Sequence, residues 1–65
     1  VRNKLKDIRH EHKMNQLEFA EFLGVQQYQY NRYEKQRNQP TLEKALHISE
    51  KTGKAVNEIF YIVPE

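Results

Sequence analysis

A chain of 65 residues makes at most one domain, and at this size only about 60% of the unfolded surface is buried on folding. It has no cysteine, so neither a disulfide nor a thiolate metal site can staple it, and stability has to come from dense helix packing, from dimerisation or from both. Eleven Lys and Arg against nine Asp and Glu give a net charge of only +2, and no apolar run exceeds five residues, which excludes a membrane-spanning helix and a secretory h-region and makes the cytoplasm the expected compartment.

In chain order, residues Asn3 to Lys13 read as a first helix, with Leu5, Ile8, Arg9 and His12 sharing a face at i, i+3, i+4 and i+7. An arginine on that inward stripe needs a partner. Met14 is placed to pack at the following turn. Asn15 opens a second helix with a capping box, its side chain bonding the Glu18 amide while Glu18 reaches back, a cap worth roughly 1 kcal/mol. Phe19, Ala20 and Leu23 form the inner stripe of that helix, and Gly24 stands where it ends. Val25 is apolar inside a polar turn, so it is expected to plug the angle to the next helix.

The third helix, Gln26 to Lys35, divides into two sides. Tyr30, Tyr33 and Glu34 face inward; Tyr28, Asn31, Arg32 and Lys35, spaced i, i+3, i+4 and i+7, face outward. Two helices of this size across a glycine turn have the helix-turn-helix pattern, which points to DNA binding. From Phe22 to Leu42 the only acid is Glu34, while Arg32, Lys35 and Arg37 supply positive charge; a surface cleared of acids is what a phosphate backbone requires. The polar loop KQRNQP closes at Pro40, Thr41 caps a fourth helix over Leu42 to Lys51, and Gly53 stops it. Its expected inner face is Leu42, Ala45, Leu46 and Ser49, with Ile48 flanking. A short fifth helix, Ala55 to Phe60, should bury Val56, Ile59 and Phe60, and YIVPE reads as a brief strand.

Leu5-Lys6-Asp7-Ile8-Arg9, Asn15-Gln16-x-x-Phe19-Ala20-x-x-Leu23-Gly24-Val25, Tyr30-Asn31-Arg32-Tyr33-Glu34, Pro40-Thr41-Leu42-x-x-Ala45-Leu46 and Asn57-Glu58-Ile59-Phe60 together resemble the Cro/C1 phage-repressor type of helix-turn-helix domain. The likeness spans about residues 3 to 60, with several landmarks keeping their mutual spacing. It implies an all-α, five-helix fold in which the second and third helices read DNA. It further implies a small antiparallel sheet joining Tyr61-Ile62-Val63 to Val1-Arg2-Asn3, and an ion pair between Arg9 and Glu34 beneath the reading helix. The sequence departs from the family at Gln26, in place of a Ser or Thr cap; at Lys54 and Ala55, in place of an apolar residue and a cap; at Leu17 and Phe22, apolar where relatives are commonly polar; and at Tyr28, where many relatives carry Gln or Arg.

The major groove presents a distinct donor and acceptor pattern for each base pair, so side chains near the start of the third helix are the candidate base readers: Gln27, Tyr28, Asn31 and Arg32. Gln16, Gln26, Lys35, Gln36, Arg37 and Asn38 are the candidate sugar-phosphate contacts. Because one such unit covers a half-site, a homodimer is expected, with Gln39, Lys54, Val56 and Ile59 at its contact by the family resemblance.

Other readings are weaker. The tyrosines of YQYNRYE could form a stacking platform for single strands, but Tyr30 and Tyr33 share a face with Glu34 and are expected in the core. His10-Glu11-His12 cannot chelate one ion on a helix, because residues two apart diverge by about 200°. His47 is alone. No nucleophile-histidine arrangement and no glycine-rich phosphate loop is present, so no enzyme, cofactor, metal or small-molecule ligand is expected. The expected protein is a sequence-specific regulator of double-stranded DNA, most simply a homodimeric repressor on an inverted repeat. Two alternatives stay open: a DNA-binding antitoxin with a toxin partner at Leu17 or Phe22, and a protein-interaction module that has abandoned DNA.

Overall fold

The computed structural model describes residues 1–64. The described chain runs β1 (Arg2–Asn3), α1 (Leu5–Glu11), α2 (Gln16–Leu23), α3 (Gln27–Glu34), α4 (Leu42–Thr52), α5 (Val56–Ile59) and β2 (Phe60–Tyr61). It is thus a five-helix domain with a two-stranded antiparallel sheet, as the resemblance implied.

Helix α1 is shorter than the Asn3–Lys13 span expected. Asn3 lies in the strand, where its Oδ1 accepts from the Leu5 amide at 3.1 Å, so it caps the helix from outside. At the other end Lys13 turns to φ 57°, a left-handed conformation in which the helix cannot continue. In α2 both halves of the capping box are made: Glu18 N donates to Asn15 Oδ1 at 2.8 Å and Asn15 N to Glu18 Oε1 at 2.9 Å. Gly24 then takes φ 74°, and the Val25 amide reaches back to the Ala20 carbonyl at 2.9 Å. This left-handed cap turns the chain sharply enough to set α3 across α2.

The inner stripes meet in one core. Leu5, Ile8, Phe19, Ala20, Leu23, Tyr30, Tyr33, Ile48 and Ile59 are buried, and Met14, Phe22, Val25 and Phe60 pack against them. Phe19 and Tyr30 meet edge to face, with centroids 5.5 Å apart, the arrangement that ring quadrupoles favour. Phe22 is half-buried, lying against Phe19 and His12 with Lys51 Nζ above its ring. Leu17 stays 48% exposed.

Helix α4 is rotated relative to expectation. Its buried residues are Ala45 and Ile48, whereas Leu42 is 74% and Leu46 50% exposed. The leucines carry most of the helix's apolar weight, but Leu46 lies about 160° from Ile48 at 100° per residue. Small Ala45 lets the helix approach the core closely, and the β-branched Ile48 fills the space that remains. Helix α5 is a single turn, and β2 starts at Phe60, not Tyr61. Its register, Arg2 opposite Tyr61 and Asn3 opposite Phe60, leaves Ile62 and Val63 outside the strand and exposed.

Candidate nucleic-acid interface

The packing of α3 fixes which of its side chains reach solvent. With Tyr30 wholly and Tyr33 almost wholly buried, the opposite side of the helix must face out. Gln27, Tyr28 and Arg32 are exposed, Tyr28 to 67%. Asn31 is half-buried at the boundary. Together with Gln16 from the first turn of α2, these four line an open concavity of about 470 Å³. The structure therefore brings the four candidate base readers and Gln16 onto one surface. Gln26 stands at the start of α3 with extended backbone (φ −69°, ψ 146°) and no side-chain cap, so its side chain is exposed beside them.

The loop after α3 divides in two. Lys35 and Arg37 are exposed and Asn38 half-buried, continuing the positive surface away from the concavity. Gln36, expected on the phosphate side, is instead an internal residue. Its Oε1 accepts from Asn3 N at 2.9 Å and its Nε2 donates to Asn3 O at 3.0 Å. The backbone at Gln36 is left-handed, φ 61°, which aims the side chain at β1. Asn3 is the reason: buried to 5% exposure, it also donates from Nδ2 to the Tyr33 carbonyl and to Gln39 Oε1, both at 2.9 Å. A buried polar side chain must be fully paired, and this one takes its partners from the end of α3 and the loop. The sequence signal was an Asn two residues before a helix start; nothing in the pattern showed that its partners lay thirty residues on.

Beneath the concavity Arg9 Nε donates to Glu34 Oε2 at 2.6 Å and Nη2 to Oε1 at 3.3 Å, while Nη1 donates to the Met14 carbonyl at 3.1 Å. The Tyr30 hydroxyl donates to Glu34 Oε2 and Gln16 Nε2 to Oε1 at 3.1 Å. Burial alone would push the Glu34 carboxyl up, but hydrogen bonds from Arg9, Tyr30 and Gln16 outweigh it and hold the group below the usual carboxylate range. The bond to Glu34 raises Arg9, and burial followed by the same carboxylate pushes the Tyr30 hydroxyl well up. The one acid in the basic segment is thus turned inward and neutralised.

The residues expected at a dimer contact are not all on the surface. Ile59 is fully buried and is corrected to a core residue. Gln39 spends its amide internally, donating to the Val1 carbonyl at 3.1 Å and accepting from Asn3. Lys54 and Val56 are half-buried, Lys54 lying 3.5 Å from Glu11. Exposed Leu42 and Leu46 are the surface residues that the sequence placed inside. His10 is exposed while His12 packs on Phe19 and Phe22, and among the described residues no group of three His, Cys, Asp or Glu could hold a metal ion. No described helix is long and apolar enough to cross a membrane.

Comparison with known proteins agrees with this architecture. A family model described as Helix-turn-helix matches residues 5–59, spanning α1 to α5, and no curated protein matches the chain. With the glycine-capped α2–α3 pair, the acid-free outer face of α3 and a match over most of its length, the chain belongs to the Cro/C1-type helix-turn-helix family of DNA-binding regulators.

Proposed function

We propose that this protein is a homodimeric transcriptional repressor that inserts α3 into the major groove of an inverted-repeat operator and so blocks promoter access. The observation that carries the reading is the concavity lined by Gln16, Gln27, Tyr28, Asn31 and Arg32, flanked by exposed Lys35 and Arg37 and free of uncompensated acid. Gln27 has the amide donor and acceptor that bond adenine in two places, and Arg32 the paired donors that bond guanine in two, each such contact discriminating by about 1–3 kcal/mol. Tyr28 offers a ring to a thymine methyl and a hydroxyl to a phosphate. Lys35, Arg37, Asn38 and Gln26 hold the register on the backbone, which carries affinity without sequence information.

A half-site reader of this size gains affinity and length of recognition by pairing about a two-fold axis, with its reading helices about 34 Å apart. The surface that supports pairing runs from α4 to the start of α5. Ser49 Oγ donates to the Lys54 carbonyl at 2.5 Å, so the flank of α4 that carries Leu42, Leu46 and Ser49 is the one that meets the turn before Val56. Selection of duplexes from a random pool, followed by binding across salt concentrations, tests the whole reading. Enrichment of a palindrome and a steep decline of log K with log salt are expected. Salt-insensitive binding or no enriched sequence would reject it.

A further inference from the structure

The hydrogen bonds around Glu34 have a direction, and that direction reaches the surface. An ionised carboxylate only accepts. Glu34 takes Arg9 on both oxygens, the Tyr30 hydroxyl on one and Gln16 Nε2 on the other. The Gln16 amide therefore cannot flip: its nitrogen is committed to Glu34 and its Oε1 must accept. Asn31 Nδ2 supplies that donor at 3.1 Å. One N–H of Asn31 is thereby consumed, while its Oδ1 takes no hydrogen bond among the described residues, at the wall of the concavity shared with Gln27, Tyr28 and Arg32.

We propose that Glu34 and Gln16 are positioning residues that fix the polarity of Asn31, so that Asn31 meets DNA with its carbonyl oxygen leading and reads an amino base, adenine or cytosine, on one strand. In the major groove adenine N6 and cytosine N4 donate, whereas guanine O6 and thymine O4 accept. An asparagine free to turn over by 180° would satisfy either kind; one locked by Gln16 disfavours the keto base, because its oxygen would face another acceptor and only the one remaining N–H could donate. The inference rests on the proposed DNA reading and adds to it the chemistry of one base position. Glu34 itself touches no DNA. It acts through Gln16, and its commitment to accepting is kept by the three donors that hold the carboxyl ionised.

The test uses the whole chain as wild type, Gln16→Met and Asn31→Ala, each with its helical content checked by circular dichroism. Gln16→Met keeps the side chain's length but removes the amide, and leaves Glu34 paired with Arg9 and Tyr30. Selection from a random duplex pool defines the wild-type site, and Asn31→Ala identifies the base pair whose preference disappears. Reversing that pair, A·T to T·A or C·G to G·C, is expected to weaken wild-type binding at least about fivefold, the lower end of a directional base contact. For Gln16→Met the same reversal should change affinity less than twofold. Should the Gln16 amide also bond a phosphate, its removal weakens both duplexes alike and cancels in the ratio. An unchanged reversal ratio in Gln16→Met, or a wild type indifferent to reversal, overturns the positioning role while leaving DNA recognition in place. A wild type that enriches no sequence overturns the DNA reading and this one with it.

Discussion

Arg9 and Glu34 show how much one pair of side chains decides. The carboxylate is held below its usual range, so it stabilises the fold fully above the ordinary carboxylate value of about 4.3. That contribution is lost as pH falls from there through the lower folded value. Glu34→Leu leaves a partly buried guanidinium without its counter-charge, which costs about 3–5 kcal/mol, a large share of the stability of a domain this small. Arg9→Met combined with Glu34→Leu should recover most of the loss and flatten the acid limb of the unfolding curve. Urea titrations between pH 2 and pH 7 measure both. A double variant as unstable as the single one would mean that the pair itself, not the unpaired charge, carries the stability.

Two left-handed residues make a second contrast at this scale. Lys13 (φ 57°) and Gln36 (φ 61°) both bear the Cβ penalty, about 1–2 kcal/mol. Lys13 is exposed with no side-chain hydrogen bond among the described residues, so Lys13→Gly should raise the melting temperature by a few degrees, corresponding to about 0.5–1 kcal/mol after the unfolded-state entropy of glycine is counted. Gln36→Gly relieves the same strain but removes the side chain that satisfies Asn3 N and O. Leaving those groups unpaired costs more than the relief, and the melting temperature should drop.

Among the elements, α1, α3 and α5 start on residues (Lys4, Gln26 and Ala55) whose own side chains make no cap, and only α1 is served from outside, by Asn3. Ala55 has the extended backbone of an N-cap (φ −65°, ψ 152°), and Glu58 Oε1 already accepts from its amide at 2.9 Å. Only the outward half of a capping box is missing. Ala55→Ser supplies it, and a gain of about 1 kcal/mol is expected by chemical denaturation. No gain would mean that the single turn of α5 is held by Ile59 and the strand after it, with little left for a cap to add. Helix α4 teaches a different lesson: its sequence points the leucines inward, yet the close approach permitted by Ala45 and the fit of Ile48 turn them out. Apolar periodicity chooses a stripe by weight, whereas packing chooses it by shape.

At the scale of the molecule the two faces have separable tests. On the DNA side, Lys35→Ala and Arg37→Ala should each flatten the slope of log K against log salt by roughly 0.9 if each neutralises one phosphate, with sequence preference retained. On the proposed pairing surface, Leu46→Asp and Val56→Asp should yield monomers by sedimentation and lose operator affinity. Leu46→Asp should leave the monomer's stability within about 0.5 kcal/mol, because that position is half exposed before any partner arrives. Tight operator binding by a monomeric Leu46→Asp variant would place the pairing surface elsewhere.

The sequence by itself determined the elements and the faces of α1, α2 and α3. The stripe Phe19, Ala20, Leu23, the capping box of Asn15 and Glu18, the glycine cap and the burial of Tyr30 and Tyr33 all follow from spacing and local chemistry. That is enough to set the outer face of α3, and hence the surface that belongs to the family. What only the tertiary structure decided depends on residues far apart in the chain. Asn3 drew Gln36 and Gln39 inward across some thirty positions, the space left beside α2 and α5 rotated α4, and Glu34 fixed Gln16 and through it Asn31. Periodicity records which side of one helix is dry. It holds no record of which polar atoms meet when several helices close on one another, because those partners are chosen by geometry that no single segment contains.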